Sequence, residues 1–294
     1  MLKKQLTIDD AIGQVIELFE NSNLFYGHGT DNPVDEAVAV VLHSLEIPYD
    51  AEVDIQTSIS EEQLEKILTL ARRRILERKP LSYLTHLTFF AGLPFYVDER
   101  VQVPRTPIAE LIQNQFSPWI RTDQVKNILD LCTGSGCIAI ASAIYFPESH
   151  VDAIELSDDA LEVAKINVKN NKVEKQVTLI QSDLFEKVPN KKYDIIVSNP
   201  PYIGREEMKT LPEEFLQEPN MSLEAEDGGL AIVIRILEKA KNYLSKEGIL
   251  VVEVGNSEEA LVTRYPNVPF IWLEFEFGGS GVFLLTKTEL EKYF

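Results

Sequence analysis

Five consecutive residues, Ser198-Asn199-Pro200-Pro201-Tyr202, follow the apolar run Tyr193-Asp194-Ile195-Ile196-Val197. The run is short and branched, as a buried parallel strand requires. Neither proline can donate to a ladder, so the strand must stop there. The residue before a proline is held extended, which fixes Asn199 at the strand's carboxyl end. The Asn199 side-chain amide and the Pro200 carbonyl are thereby presented together, with Pro201 next in the chain and the Tyr202 ring beside them. Chemically, this is a rigid pair of acceptors for an NH2 group. The same residues on their own also read as a strand terminator, because Asn-Pro and Pro-Pro are ordinary turn dipeptides.

A second constellation lies upstream. Asp130-Leu131-Cys132-Thr133-Gly134-Ser135-Gly136-Cys137-Ile138-Ala139 runs out of an earlier strand into a helix. Gly134 and Gly136 allow a tight turn and close approach of a ligand to backbone N–H groups. The spacing also satisfies the G-x-G-x-x-A form of a dinucleotide fingerprint, which leaves a nicotinamide-dependent oxidoreductase open. Glu155 ends the next strand, 25 residues beyond Asp130, where an acid can bind both ribose hydroxyls. Asp183, in Ser182-Asp183-Leu184-Phe185, follows the third strand and could accept from an adenine amino group. Asn199 follows the fourth. In an open α/β sheet the carboxyl ends of successive parallel strands form one edge, and ligands bind there. Each acid alone reads equally as a helix cap or surface residue. Four such features on one edge point to a nucleoside-containing cofactor.

The elements that must position these groups fall into three blocks. Residues 1–87 read as a small helical domain. Its helix starts are marked by Thr7 with Asp10, by Asn32 before Pro33, and by Ser60 with Gln63. Apolar residues recur at helical spacing behind each: Ala11, Val15 and Phe19; Val34, Val38 and Val41; Leu64, Ile67 and Ala71. Residues 88–105 carry extended aromatic segments around Gly92-Leu93-Pro94, the pattern of a hairpin linker. From 106 to 294 strands and helices alternate, the mark of a parallel sheet covered on both faces. Strands are expected near Asn127–Cys132, Val151–Leu156, Val177–Gln181, Tyr193–Ser198 and Ile249–Val254, with a helix over Ser157–Asn170 capped by Ser157. Near the end, Phe270–Phe275 and Gly281–Leu285 flank Gly278-Gly279-Ser280. The spacing predicts a closing hairpin, so that the last strand enters antiparallel.

Composition narrows the function classes. With 45% hydrophobic residues the chain is ordinary for a soluble globular protein. Lys3 and Lys4 have no apolar run behind them, so no secretory leader is expected, and no stretch is long enough to span a bilayer. Cys132 and Cys137, the only cysteines, make neither a disulfide framework nor a metal pattern, which suggests a reduced, cytoplasmic compartment. A net charge of −19 works against stable nucleic-acid binding and suits a basic protein partner. The one basic run, Arg72–Lys79, reads as a solvated helix face. Residues 205–227, just after the proline motif, carry eight acids. They read as a solvated loop, or as an acidic lip that would draw in a basic substrate.

The glycine loop, the acid at the next strand end and the antiparallel finish resemble the class I S-adenosylmethionine-dependent methyltransferases, an α/β, Rossmann-like fold with a mostly parallel seven-stranded sheet. Within them, Asn-Pro-Pro-Tyr resembles the motif of enzymes that methylate a planar NH2 nitrogen. Over nearly the whole chain the sequence resembles the protein-(glutamine-N5) methyltransferase family. That resemblance rests on Phe90–Arg100, Val103–Leu111, Asp130–Cys137 and Val251–Ser257. Cys132 and the stretch Pro104-Arg105-Thr106-Pro107 favour its branch acting on large-subunit ribosomal protein three over the sister branch acting on release factors. The resemblance implies that S-adenosyl-L-methionine is bound by Asp130, Cys132, Thr133, Gly134, Ser135, Gly136, Glu155, Asp183, Leu184 and Asn199. It implies a substrate amide held by Asn199, Pro200, Pro201 and Tyr202, with Asn199, Pro200 and Tyr202 catalytic. It implies no metal, and a basic ribosomal protein as partner; the position of the helical domain, in which nothing looks chemical, suggests substrate docking. An adenine N6 methyltransferase would use the same acceptors on a flipped-out base, but would also need a basic target-recognition region.

Overall fold

The structure is a computed structural model and describes residues 6–294. Met1–Gln5, including Lys3 and Lys4, lie outside the described residues. The chain folds as two compact units: Met1–Leu87 with Pro212–Gln217, and Thr88–Leu211 with Glu218–Phe294. The segment 88–105 therefore packs within the second unit, and a six-residue piece of the chain after the proline motif belongs to the first.

The first unit is built on α1 (Ile8–Glu20), α2 (Pro33–Ser44), α3 (Glu61–Glu77) and the short α4 (Leu81–Thr85). Reciprocal capping boxes start α1, at Thr7 and Asp10, and α3, at Ser60 and Gln63. The Asn32 side chain accepts from the Val34 and Asp35 N–H groups ahead of Pro33. Each cap satisfies amide groups that the first turn leaves unpaired. Ala11, Val15, Phe19, Val40, Ile67 and Ala71 form the core.

The basic run on α3 is not uniformly solvated. Arg72 and Arg73 are exposed and pair with Glu65 and Glu77, but Arg74 is only 1% exposed. Its Nε donates to Glu36 at 2.7 Å, its Nη1 reaches Glu214 at 3.4 Å, and its Nη2 donates to the Phe25 carbonyl at 2.9 Å. A buried guanidinium needs such partners, and one of them arrives 140 residues later. Helical spacing alone carries no sign of it.

The second unit begins with an antiparallel pair, β1 (Thr88–Phe90) and β2 (Leu93–Phe95), then α5 (Ile108–Gln113). Strands β3 (Asn127–Leu131), β4 (His150–Glu155), β5 (Val177–Gln181), β6 (Tyr193–Ser198), β7 (Leu244–Glu253), β8 (Ile271–Trp272) and β9 (Val282–Thr286) form one sheet in the order β5-β4-β3-β6-β7-β9-β8. The first five are mutually parallel, and β9 runs antiparallel to both its neighbours. This is the α/β architecture expected from the sequence, with the antiparallel finish. The strand order reverses between β3 and β6, which is where open sheets bind ligands.

Both faces of the sheet are dry. Ile128, Ala153, Ile195 and Val251 pack on α5, α6 (Cys137–Tyr145) and α7 (Asp158–Asn170). Leu129, Ile154, Ile196 and Leu250 pack on the opposite side against Val233, Ile236 and Leu290. These come from α10 (Ala231–Ala240) and α12 (Lys287–Tyr293), between which lies α11 (Glu258–Arg264); two single turns, α8 (Arg205–Met208) and α9 (Asn220–Leu223), precede α10. Alternate strand residues serve opposite faces, and each fully buried aliphatic side chain contributes about 1.5–3 kcal/mol. Strand β7 starts five residues before the expected Ile249, because Leu244 already pairs with Tyr193 across a register shift. Among the described residues no helix is long and apolar enough to cross a membrane.

Candidate active site

The glycine loop leaves β3 through a run of left-handed residues: Cys132 (φ 60°), Gly134 (φ 55°) and Gly136 (φ 82°). A Cβ on Gly136 would stand 3.2 Å from Ile140 Cδ1 and 3.4 Å from Ala164 Cβ, so conformation and space both require glycine there. Asp130 and Thr133 brace the loop from beneath: the Thr133 hydroxyl donates to Asp130, which is fully buried. Burial pushes the Asp130 carboxyl up to about 7. Both cysteines are free. Burial raises the Cys132 thiol and pushes Cys137 up to about 12, so neither is a ready nucleophile.

Asn167, on α7 and entirely buried, joins this loop to the end of the β1–β2 hairpin. Its Nδ2 donates to the Ser135 and Tyr96 carbonyls, each at 2.9 Å, and its Oδ1 accepts from the Tyr96 N–H at 2.7 Å. All three side-chain bonds go to backbone, so the residue fixes the path of two loops at once.

At the end of β4, Glu155 Oε2 accepts from the Gly134 N–H at 2.9 Å, while Oε1 accepts from the Leu156 and Ser157 N–H groups. A carboxylate has about four acceptor positions, and three are taken. Gripping a ribose diol through both oxygens therefore requires one backbone bond to be exchanged for a hydroxyl. At the end of β5, Ser182 shapes the turn by donating to the Leu184 carbonyl and accepting from the Lys187 N–H. Asp183 is paired through Oδ2 with Arg235 of α10 at 2.8 Å, which leaves Oδ1 for a ligand.

These strand ends open on one cavity, whose wall includes Cys132, Gly134, Glu155, Asp183, Leu184, Asn199 and Pro201. Asp130, Thr133, Ser135, Gly136, Pro200 and Tyr202 are not part of that wall. The first four set the loop behind it. Two further segments complete the wall: Arg100–Gln102, and Pro219 with Met221 and Ser222. A buried ion pair holds these segments together, since Arg105 Nη1 and Nη2 meet the two Glu218 oxygens at 2.5 and 2.7 Å and the Val103 N–H donates to the same carboxylate at 2.9 Å.

The proline motif sits where β6 ends. Ser198 is register partner to Leu131 and donates to its carbonyl at 2.7 Å, which locks the motif to the glycine-loop strand. Pro200 is buried and Asn199 half-buried. Among the described residues the Asn199 amide has no hydrogen-bond partner. The Tyr202 hydroxyl donates to Glu253 Oε1 at 2.9 Å, at the carboxyl end of β7. Burial first, and then the Glu253 charge, raises the Tyr202 phenol, so it stays a neutral donor.

Two relatives align with this chain nearly end to end. A ribosomal protein uL3 glutamine methyltransferase of Francisella tularensis is 44% identical over 98% of this chain and 92% of its own. A protein of the same description from Neisseria meningitidis serogroup A is 44% identical over 97% and 94%. The chain belongs to the protein glutamine methyltransferase family. Residues 113–259 also match the methyltransferase small domain family, a span that runs from α5 to α11 and contains every element of the cavity except Arg100–Gln102. A methyltransferase of Pyrococcus furiosus shares 18% identity and a TM-score of 0.49 over 78% of this chain and 99% of that one, a likeness that carries no argument about function.

The sequence alone did not single out Asn167, Glu218 or Glu253 for this methyltransferase site. Each makes its bonds to distant backbone or to a partner dozens of residues away, and no local spacing encodes such contacts.

Proposed function

We propose that this protein transfers a methyl group from S-adenosylmethionine to the side-chain nitrogen, N5, of a glutamine in ribosomal protein uL3. The reading is carried by one observation above all: an Asn199 amide without a protein partner, fixed at a strand end on the wall of the cavity. The names of the two full-length relatives support the same substrate. A basic ribosomal protein also suits a chain of net charge −19, and a reaction in the cytoplasm is consistent with that substrate.

The residues present fit the cofactor. Glu155 would hold a ribose, Asp183 Oδ1, which makes no hydrogen bond among the described residues, would accept from an adenine amino group, and the turn at Cys132–Gly136 would let a ligand approach backbone N–H groups. S-adenosylmethionine supplies, when bound, an electrophilic methyl group on a positively charged sulfur.

The chain's own task is to make a poor nucleophile reactive. A carboxamide lone pair is delocalised into its carbonyl. Asn199 Oδ1 and the Pro200 carbonyl each accept one amide hydrogen, which aims the nitrogen at the cavity and stabilises the positive charge that develops on it. Tyr202 bounds the planar amide on its far side. Such positioning supplies roughly 7–11 kcal/mol of an enzyme's barrier reduction. Once methylated, the amide nitrogen would be acidic enough to lose its proton to solvent, so no histidine or lysine is needed in the motif.

The test uses methyl-labelled S-adenosylmethionine with ribosomal components from cells lacking the enzyme. Label on a uL3 glutamine side chain is expected. Label on release factors would keep the chemistry and move the substrate to the sister branch, and label in RNA or DNA would contradict the amide reading.

A further inference from the structure

Glu253 is a carboxylate that the reaction as described does not use. It is 5% exposed at the end of β7, and while its Oε1 accepts from Tyr202, its Oε2 makes no hydrogen bond among the described residues. Burying a carboxylate is costly, and such cost is tolerated where a group holds something in place. What it holds is the last residue of the acceptor motif.

The surroundings restrict Tyr202 from the opposite side as well. A Cβ on Gly255 would stand 2.5 Å from Tyr202 Cε2, so the ring lies flush on bare backbone there. The Val254 N–H donates to the Gly281 carbonyl at 2.7 Å, which fixes that backbone against the turn before β9. The Tyr202 carbonyl accepts from the Ser257 hydroxyl at 2.9 Å. The ring's remaining freedom is rotation about its own side-chain bonds, and the Glu253 contact removes it.

We propose that Glu253 is a positioning residue for methyl transfer: its bond to the Tyr202 hydroxyl fixes the last residue of the acceptor motif, and with it the backbone from which Asn199 and Pro200 meet the substrate amide. This rests on the reading that residues 199–202 hold the acceptor amide. The charged group facing Glu253 is Arg105, from the segment before α5, whose guanidinium is paired with Glu218; the hydroxyls are those of Thr106 and Tyr202. Burial raises the Glu253 carboxyl, while Thr106, Tyr202 and Arg105 oppose that rise. Protonating it turns a charge-assisted bond to Tyr202 into a weaker neutral one, so turnover declines as pH falls through its titration.

Three variants test this: Glu253→Gln, Tyr202→Phe and the double variant. In each, turnover on uL3 is expected to fall about tenfold while the KM for S-adenosylmethionine stays within about twofold of wild type. The double variant is expected to match the worse single, since both changes cut one bond. The acid limb of the wild-type pH profile should vanish in Glu253→Gln, whose amide does not titrate. A Glu253→Gln enzyme with wild-type turnover, an unchanged acid limb, or cofactor affinity falling in step with turnover would overturn the inference. Wild-type enzyme inactive on uL3 would overturn the substrate reading and this inference with it, whereas an active wild type beside an unaffected Glu253→Gln overturns this inference alone.

Discussion

That Glu155 and Asn199 share the cavity edge was legible because residue type and strand end are both visible in a linear sequence. A carboxylate and an amide closing two buried strands share one sheet edge whatever the details of packing. Their bonding was not legible. Glu155 spends three of its acceptor positions on backbone N–H groups of Gly134, Leu156 and Ser157, and only the folded loop brings these within reach. It braces the loop, and on the proposed reading it holds the ligand as well. Glu155→Gln keeps one acceptor oxygen and is expected to weaken S-adenosylmethionine binding by about tenfold or more while leaving turnover at saturating cofactor within a few-fold, a KM effect without a matching kcat effect. Equal losses in both would show that Glu155 acts on the chemical step. Asp130 illustrates the opposite case, in which the position was visible and the role was not. It stands at the right place for the cofactor, yet it is fully buried under the loop and braces Thr133.

At the scale of elements, the start of each of the first three helices could be read from its cap, because capping is a local bargain between residues three apart. The capping box at Thr286 and Glu289 has the same form and went unread, since α12 begins directly at the end of β9 and is too short to show a helical period. Buried charge was the other blind spot. Arg74 sits in a run of basic residues that helical spacing places on a solvated face, and only the arrival of Glu36 and Glu214 makes its burial possible. Removing one partner of a buried ion group leaves the others uncompensated. Arg74→Leu is therefore expected to destabilise the fold by about 3–5 kcal/mol in urea unfolding. Arg73→Leu, whose only ion pair is exposed, should cost no more than about 1 kcal/mol. Equal midpoints for the two variants would contradict this account of the helical unit. The acids after the proline motif divide in the same way. Glu214 and Glu218 are buried in ion pairs, and Glu224, Glu206 and Asp227 pair with Arg205, Lys209 and Arg264, which leaves less of an acidic lip than eight carboxylates suggest.

For the molecule as a whole, net charge and one buried acid set how solution conditions act. With −19 charges and the basic protein substrate proposed above, raising salt should raise the KM for that substrate and leave the KM for S-adenosylmethionine nearly unchanged. Equal effects on both would remove electrostatic steering from the account. Stability should depend on pH through Asp130, held at about 7 in the fold against 3.8 for the free side chain. Between those values the folded protein binds more protons than the unfolded chain, so stability falls as pH rises from about 4 to about 7, by an amount on the order of 4 kcal/mol. Asp130→Asn keeps a hydrogen-bonding partner for Thr133 and removes the titration, so its thermal midpoint should be flatter over that window. A variant as pH-sensitive as wild type would show that other groups dominate.

The central claim is that Asn199 activates an amide nitrogen, and single-turnover kinetics of Asn199→Ala with uL3, alongside S-adenosylmethionine affinity measured on the same preparation, tests it most directly. The account predicts methyl transfer slower by about 10²–10³ with cofactor affinity nearly intact, because the lost acceptor serves developing charge on the nitrogen and not the cofactor. Near-normal transfer, or a loss confined to cofactor binding, would contradict it.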